Sequence, residues 1–166
     1  MENILARRSV RKYTKDPVSE AQVTELLRAA MAAPSAGNQQ PWQFVVVRDA
    51  AVLDVIAGAN PYGGMAREAP VAVVVCGDLQ REQRPGFWVQ DCAAATQNLL
   101  LAAQAAGLGA VWCGTYPREE RMGPIRAVLG LPDHVIPFSV VPIGYAAERP
   151  VPADRYDPGR VHFDRW

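Results

Sequence analysis

Three arginines and a serine fall within five residues near the N-terminus: Arg7, Arg8, Ser9 and Arg11, in the run Arg-Arg-Ser-Val-Arg. A guanidinium stays charged and offers a planar fork of donors, so a cluster of them suits a phosphate or a carboxylate. A second polar patch, Pro34-Ser35-Ala36-Gly37-Asn38-Gln39-Gln40-Pro41-Trp42, stands on the other side of one predicted helix. Small residues there let backbone approach a ligand closely, and Ser35 and Asn38 add hydrogen-bonding side chains. Together the two patches could grip an anionic, hydroxyl-rich, flat molecule. Each also has a plainer reading, the first as a solvated helix end and the second as a simple helix-to-strand loop.

Flavin mononucleotide (FMN) is a molecule of that chemistry. Its phosphate needs two or three guanidiniums or backbone N–H groups, and its ribityl hydroxyls need small polar partners. Its ring needs apolar cover on one face, positive charge near the N1–C2 carbonyl edge and a main-chain N–H near N5. Arg7, Arg8, Ser9 and Arg11 could serve the phosphate, ribityl and N1 requirements in one short, partly extended segment. In Gly107-Leu108-Gly109-Ala110-Val111-Trp112-Cys113-Gly114-Thr115, Gly107 is explained as a helix C-cap, whereas Gly114 at a strand end is the better candidate for an exposed N–H.

Other chemistries compete weakly. No Gly-x-Gly-x-x-Gly opens a helix after a strand, which argues against a Rossmann site. Cys76, Cys92 and Cys113 show no Cys-x-x-Cys or Cys/His ligand spacing, so a zinc or iron–sulfur centre is not expected. His134 and His162 are isolated, Cys113 has no histidine partner in sequence, and no Gly-x-Ser-x-Gly elbow is present. Asp91, on a predicted helix, suits a general acid, although acids on helices are usually solvated or capping.

The elements that position these residues are marked by their own signals. Ser19 with Gln22 fits a capping box, flanked by a Val18–Val23 staple, and Val23, Leu26, Leu27, Ala30 and Met31 trace one helical face up to the stop at Pro34. Residues 42–47 are β-branched and aromatic, a strand. Asp49 can cap a short helix ending near Gly58, and breakers make 58–70 a loop. The uninterrupted apolar run 71–76 predicts a central strand. A long helix follows Pro85-Gly86 and ends at Gly107; it is apolar or small on nearly all sides, which implies packing on several faces. Residues 110–113 read as a strand, Pro117 as the first turn of a helix reaching Leu129, and 135–144 as a strand that Pro137 and Pro142 assign to an edge or a bulge. In the proline-rich tail from Ala146, Tyr156, Phe163 and Trp166 predict docking. The order of elements points to an α+β fold, helices flanking a mostly antiparallel or mixed sheet, with a dimer interface on the long helix.

At 166 residues the chain reads as one domain, residues 1–166, with 146–166 as an extended C-terminal tail. Hydrophobic residues make up 49% and charged residues 20%, a globular composition. Seventeen basic side chains, fifteen of them arginine, balance seventeen acidic ones, so there is no general pull toward nucleic acid or anionic membrane and any basic site must be local. Buried thiols and the absence of an apolar leader or a bilayer-length apolar run predict a soluble, cytoplasmic protein.

Taken in order, Arg-Arg-Ser-Val-Arg-Lys-Tyr near the start, Ala-Pro-Ser-x-x-Asn-x-Gln-Pro-Trp at 33–42, Gly-Leu-Gly-x-x-Trp at 107–112 and Pro-x-x-Arg-Tyr-Asp at 152–157 resemble the signatures of the nitroreductase family of FMN-dependent oxidoreductases. The resemblance implies an intertwined homodimer with two FMN sites at its interface. It implies Arg7 and Arg155 on the phosphate, Arg8 and Ser9 on the phosphate–ribityl region, and Arg11 at the N1–C2 edge. Pro34, Ser35 and Asn38 would come from the other subunit, and Cys113 and Gly114 would lie along the ring with the Gly114 N–H near N5. The implied reaction is ping-pong: NADH or NADPH reduces the flavin and leaves, and a nitroaromatic, quinone or similar acceptor takes the electrons. Residues 58–86 leave little room for the helical excursion that covers the substrate in larger members, and Arg67 is the one basic candidate for a 2′-phosphate in the loop. Two alternatives stay open: specialised flavin chemistry such as dehalogenation or flavin fragmentation, and a non-catalytic flavin store or sensor.

Overall fold

The computed structural model describes residues 1–151 and 153–166. Pro152, the first residue of the tail motif, lies outside the described residues. Among the described residues, five α-helices flank one five-stranded sheet. In chain order the elements are α1 (Glu2–Ala6), α2 (Glu20–Met31), β1 (Trp42–Val47), α3 (Ala50–Gly58), β2 (Val71–Asp78), α4 (Trp88–Ala105), β3 (Gly109–Ala110), β4 (Cys113–Gly114), α5 (Glu119–Leu129) and β5 (Val135–Gly144). The strands run β1-β2-β5-β3, with β4 also paired to β5, and every pairing between them is antiparallel.

Side chains on successive strand residues point to opposite faces, and β2 buries both of its faces. Val71, Val73 and Val75 pack with Val23, Leu26 and Ala30 of α2 and Cys92, Ala95 and Leu99 of α4. Ala72, Val74 and Cys76 pack on the other side with Leu53 and Ile56 of α3 and Ile125 of α5. A strand covered on both sides can be apolar at every position, which is why 71–76 reads as an unbroken hydrophobic run. The capping box of α2 is complete, with Ser19 Oγ accepting from Gln22 N and Gln22 Oε1 accepting from Ser19 N. Asp49 caps α3 through Ala51 N and Val52 N. Helix α4 is wedged among three neighbours: the sheet below, α2 through Asn98 Nδ2 donating to Ala29 O, and α1 through Asn3 Nδ2 donating to Leu101 O.

Three expectations need correction, and one open alternative is decided. Strand β5 is interior, so of the edge and the bulge it is the bulge that accommodates Pro137. The β2–β5 register shifts between Val75↔Ser139 and Cys76↔Pro137, a bulge. Pro142 lies beside the gap between β3 and β4, where its carbonyl accepts from Tyr13 Oη at 3.2 Å. Residues 110–113 form two short strands rather than one, because the chain leaves β5 at Val111–Trp112. Helix α5 starts at Glu119 after Arg118, so Pro117, joined to Tyr116 by a cis peptide bond, precedes it. The tail aromatics do not dock on the domain: Tyr156, Phe163 and Trp166 are 76%, 85% and 102% exposed.

Candidate functional site

Residues 7–13 run extended along the sheet edge. Ser9 bridges Ala110, Val10 N donates to Ala110 O at 3.0 Å, and Tyr13 bridges Ala146. Gly109 makes this approach possible, since a Cβ there would come within 2.6 Å of Val10 Cγ1. Alternation in an extended chain turns Arg7, Ser9 and Arg11 to one side and Arg8 and Val10 to the other. Val10 is buried. Arg8 spends its guanidinium on main-chain carbonyls, those of Arg7 (2.6 Å), Leu5 (2.9 Å) and Val151 (3.2 Å), and so ties the N-terminal helix to the tail. From Arg7 to Arg11 the extended backbone covers about 13 Å.

At one end of this strip, Arg7, Arg8 and Arg155 line a cavity of about 530 Å³ with Ile4, Leu5, Asp154 and Tyr156. Burial, then Arg155, then Arg8 push the Arg7 pKa below its ordinary value. Among the described residues none of the three arginines forms an ion pair with a carboxylate. Three positive charges against the single carboxylate of Asp154 leave an excess of positive charge that fits a bound dianion.

At the other end, Arg11, Tyr62, Met65, Trp112, Cys113 and Gly114 line a second cavity of about 580 Å³, together with Asn60 and Arg121. A Cβ on Gly114 would meet nothing within 4 Å, so the space over this backbone is open. Cys113 is buried and its Sγ lies 3.7 Å from Met65 Sδ. Burial pushes its thiol up to about 11, with Arg11 acting in the opposite direction. That makes it an inert wall rather than a nucleophile. The Gly114 carbonyl accepts from Arg121 Nη1 at 2.9 Å and from Asn60 Nδ2 at 3.2 Å. Arg67 pairs with Asp54.

Pro34, Ser35 and Asn38 line neither cavity, so the chain does not bring its own three residues to the arginine strip. Their loop is tightly built. Gly37, Asn38 and Gln40 all have left-handed φ (57°, 55° and 46°); this is free for the glycine but strained for Asn38 and Gln40, and such strain persists only where surroundings over-determine it. Ser35 Oγ accepts from Gln40 N, and Gln40 Nε2 donates to Asn38 Oδ1, both at 3.0 Å. Asp91 holds the loop from α4. Its Oδ1 accepts from Ala36 N at 2.9 Å and its Oδ2 from Gln39 Nε2 at 2.6 Å. Asp91 is thus a buried anchor rather than a solvated or capping acid. Sequence reasoning missed Gln39, Asn60 and Arg121: the first sits among other polar residues, the second in a loop of breakers, and Arg121 in Arg-Glu-Glu-Arg, which reads as a solvated helix face. Among the described residues no cluster of three or more His, Cys, Asp or Glu could hold a metal, and no helix is long and apolar enough to cross a membrane.

Fold and site define a class: an α+β protein with helices on both faces of an antiparallel sheet and an arginine-lined strip along that sheet's edge. The chain belongs to the nitroreductase family, whose model matches residues 4–61 and 53–145. It is 51% identical to a protein of Methanothermobacter thermautotrophicus provisionally named NADH dehydrogenase/NAD(P)H nitroreductase, over 100% of this chain and 87% of that one. A solved structure from Parabacteroides distasonis, provisionally named in the same way, superposes with a TM-score of 0.96 at 44% identity, covering 99% and 97% of the two chains. A provisionally named nitroreductase of Desulfovibrio desulfuricans, solved in complex with FMN, superposes with a TM-score of 0.86 at 31% identity, covering 99% and 96%.

Proposed function

We propose that this chain is an FMN-dependent oxidoreductase that takes hydride from NADH or NADPH and reduces nitroaromatic, quinone or similar acceptors by a ping-pong mechanism. The observation that carries the reading is the arginine cluster: Arg7, Arg8 and Arg155 line one cavity, and neither Asp154, which lines it too, nor any other carboxylate among the described residues forms an ion pair with them. A phosphate dianion supplies the missing charge. The strip from Arg7 to Arg11 then matches the run from a phosphate through a ribityl chain to the near edge of a ring.

Arg7 and Arg155 hold the phosphate, and Arg8 adds charge while bracing the tail against it. Ser9 serves the ribityl hydroxyls. Arg11 stands at the N1–C2 carbonyl edge, where negative charge collects on reduction. Cys113 forms wall along the ring, and the Gly114 N–H reaches N5. FMN held there would supply the redox chemistry, namely hydride acceptance from the nicotinamide and electron delivery to the second substrate. The protein's part is to bind, orient and tune it.

The functional unit in this reading is a homodimer. Pro34, Ser35 and Asn38 of the partner subunit complete each site, which fits a loop that is rigidly built yet lies away from its own subunit's arginines. The exposed tail aromatics and the partly exposed side of α4 are the apolar surfaces a second copy would cover. The chain acts as one domain with an extended tail, and its free, buried thiols suit the cytoplasm.

An anaerobic titration tests this. The purified protein should be yellow, bleach when NADH or NADPH is added, and recover its colour with p-benzoquinone. A colourless protein that refuses micromolar FMN rules the reading out, and flavin that binds but never bleaches leaves a store or sensor.

A further inference from the structure

The Gly114–Thr115 peptide is held from both sides. Its N–H donates to Phe138 O at 3.1 Å in β5. Its carbonyl takes two side-chain donors from separate elements, Arg121 Nη1 on α5 at 2.9 Å and Asn60 Nδ2 in the loop after α3 at 3.2 Å. Asn60 is itself fixed, since its Oδ1 accepts from Tyr62 N at 3.0 Å. Glycine has the softest backbone of any residue. With the following peptide pinned at both ends, little torsional freedom is left to swing the Gly114 N–H away from the cavity.

Arg121 brings a second property. It is half-buried, has no carboxylate partner among the described residues, and its Nε is buried without a hydrogen bond. Its charge is therefore poorly screened, and it lines the cavity that Arg11 also lines. Two cations then border the space assigned to the ring.

We propose that Arg121 and Asn60 are positioning residues for the ring end of the site: they lock the Gly114 backbone, and the Arg121 charge favours the reduced, more negative form of the bound flavin. The inference rests on the FMN reading above. It assigns to α5 a role in setting how readily the cofactor accepts electrons, separate from holding the phosphate.

The test measures the midpoint potential of bound FMN by dye equilibration, its dissociation constant, and thermal stability for the parent, Arg121→Met, Arg121→Lys and Asn60→Ala, each as the FMN-loaded dimer. Arg121→Met should bind reduced FMN about ten-fold less well relative to oxidised FMN, a shift of about 30 mV for a two-electron couple. Arg121→Lys should restore most of that preference, because it restores the charge. Asn60→Ala should alter the visible spectrum of the bound flavin with a smaller change in potential. If Arg121→Met does not fold, Arg121→Gln, which keeps a donor for the carbonyl, should show the same loss. A neutral variant that binds FMN with the parent's potential overturns the proposal while leaving the FMN reading intact. A parent that binds no FMN overturns the FMN reading itself, and this inference with it.

Discussion

Gln39 Nε2 donates to Asp91 Oδ2 at 2.6 Å, joining the loop before β1 to the first turn of α4 across fifty-two residues of sequence. The other end of the same amide, Gln39 Oε1, accepts from Gln83 N and Arg84 N at 2.9 Å each. One buried side chain thus holds three segments together, with Asp91 also anchoring Ala36 N. Replacing Asp91 by Asn exchanges one acceptor for a donor, so either Ala36 N or Gln39 Nε2 faces another N–H. An unsatisfied buried donor costs about 1–3 kcal/mol. Asp91→Asn should lower the unfolding free energy by that amount, read as a lower urea midpoint at unchanged m. Because the loop carries Pro34, Ser35 and Asn38 toward the partner's cofactor in the proposed dimer, FMN affinity should fall as well. An unchanged midpoint would mean that the network adds nothing.

Arg155 carries the opposite kind of prediction. In the protein without ligand it is a like charge beside Arg7 and disfavours the charged form of that neighbour. Arg155→Ala should therefore leave the ligand-free melting temperature unchanged or raise it. With FMN the same change removes a charge-assisted contact, and affinity should fall about ten- to a hundred-fold. Arg7→Ala should lower FMN affinity similarly. Melting curves with and without FMN separate the two effects, and variants that bind FMN like the parent would refute the phosphate assignment.

Much of this architecture is written locally. The Ser19–Gln22 box, the Asp49 cap and the apolar run at 71–76 each name their own element, because partner and signal lie within a few residues. The arginine strip is legible for the same reason: Arg7, Ser9 and Arg11 share a short extended segment. What the sequence hides depends on partners far along the chain. Asp91 looks like an ordinary helix acid until Ala36 and Gln39 arrive from another loop. Arg121 looks solvated until α5 folds back over Gly114. Pro137 and Pro142 mark an edge or a bulge by their missing donors, and only the partners in the folded sheet decide for a bulge and for the gap between β3 and β4. The tail aromatics predict a docking surface, and the rest of the chain does not supply one.

The three thiols set a pH limit. Burial pushes Cys76 up to about 12 and Cys113 up to about 11, and raises Cys92 further, each from an ordinary value of 9.0. A raised native pKa means that the thiols deprotonate first in the unfolded chain. Their stabilising contribution is whole below pH 9 and is lost as the pH climbs through the native values. Each thiol contributes a slope of up to about 1.4 kcal/mol per pH unit within that window. Urea midpoints should hold steady from pH 7 to 8.5 and drop between pH 9 and 11, less steeply in Cys76→Ala. Iodoacetamide at pH 8 should label none of the three thiols in the native protein. Rapid native labelling of Cys113 would contradict its burial.

Gly77 in β2 is a test of packing under the aromatic cluster. A Cβ built there would come within 2.3 Å of Trp88 Cε3, a ring atom buried at the start of α4. Trp88 cannot retreat freely, because its ring meets Tyr116 edge-on at 4.8 Å between centroids and Phe138 at 6.1 Å. Overpacking a close-packed interior costs about 1–3 kcal/mol, and immobile neighbours push a site toward the upper end of that range. Gly77→Ala should therefore lower the unfolding free energy by about 2–3 kcal/mol. The second change, Trp88→Leu, leaves a cavity on its own but removes the clashing atoms. The double variant should then be less destabilised than the sum of the two single changes, since residues in contact do not add. Strict additivity in a double-mutant cycle would show that the strand and the helix do not meet at this pair.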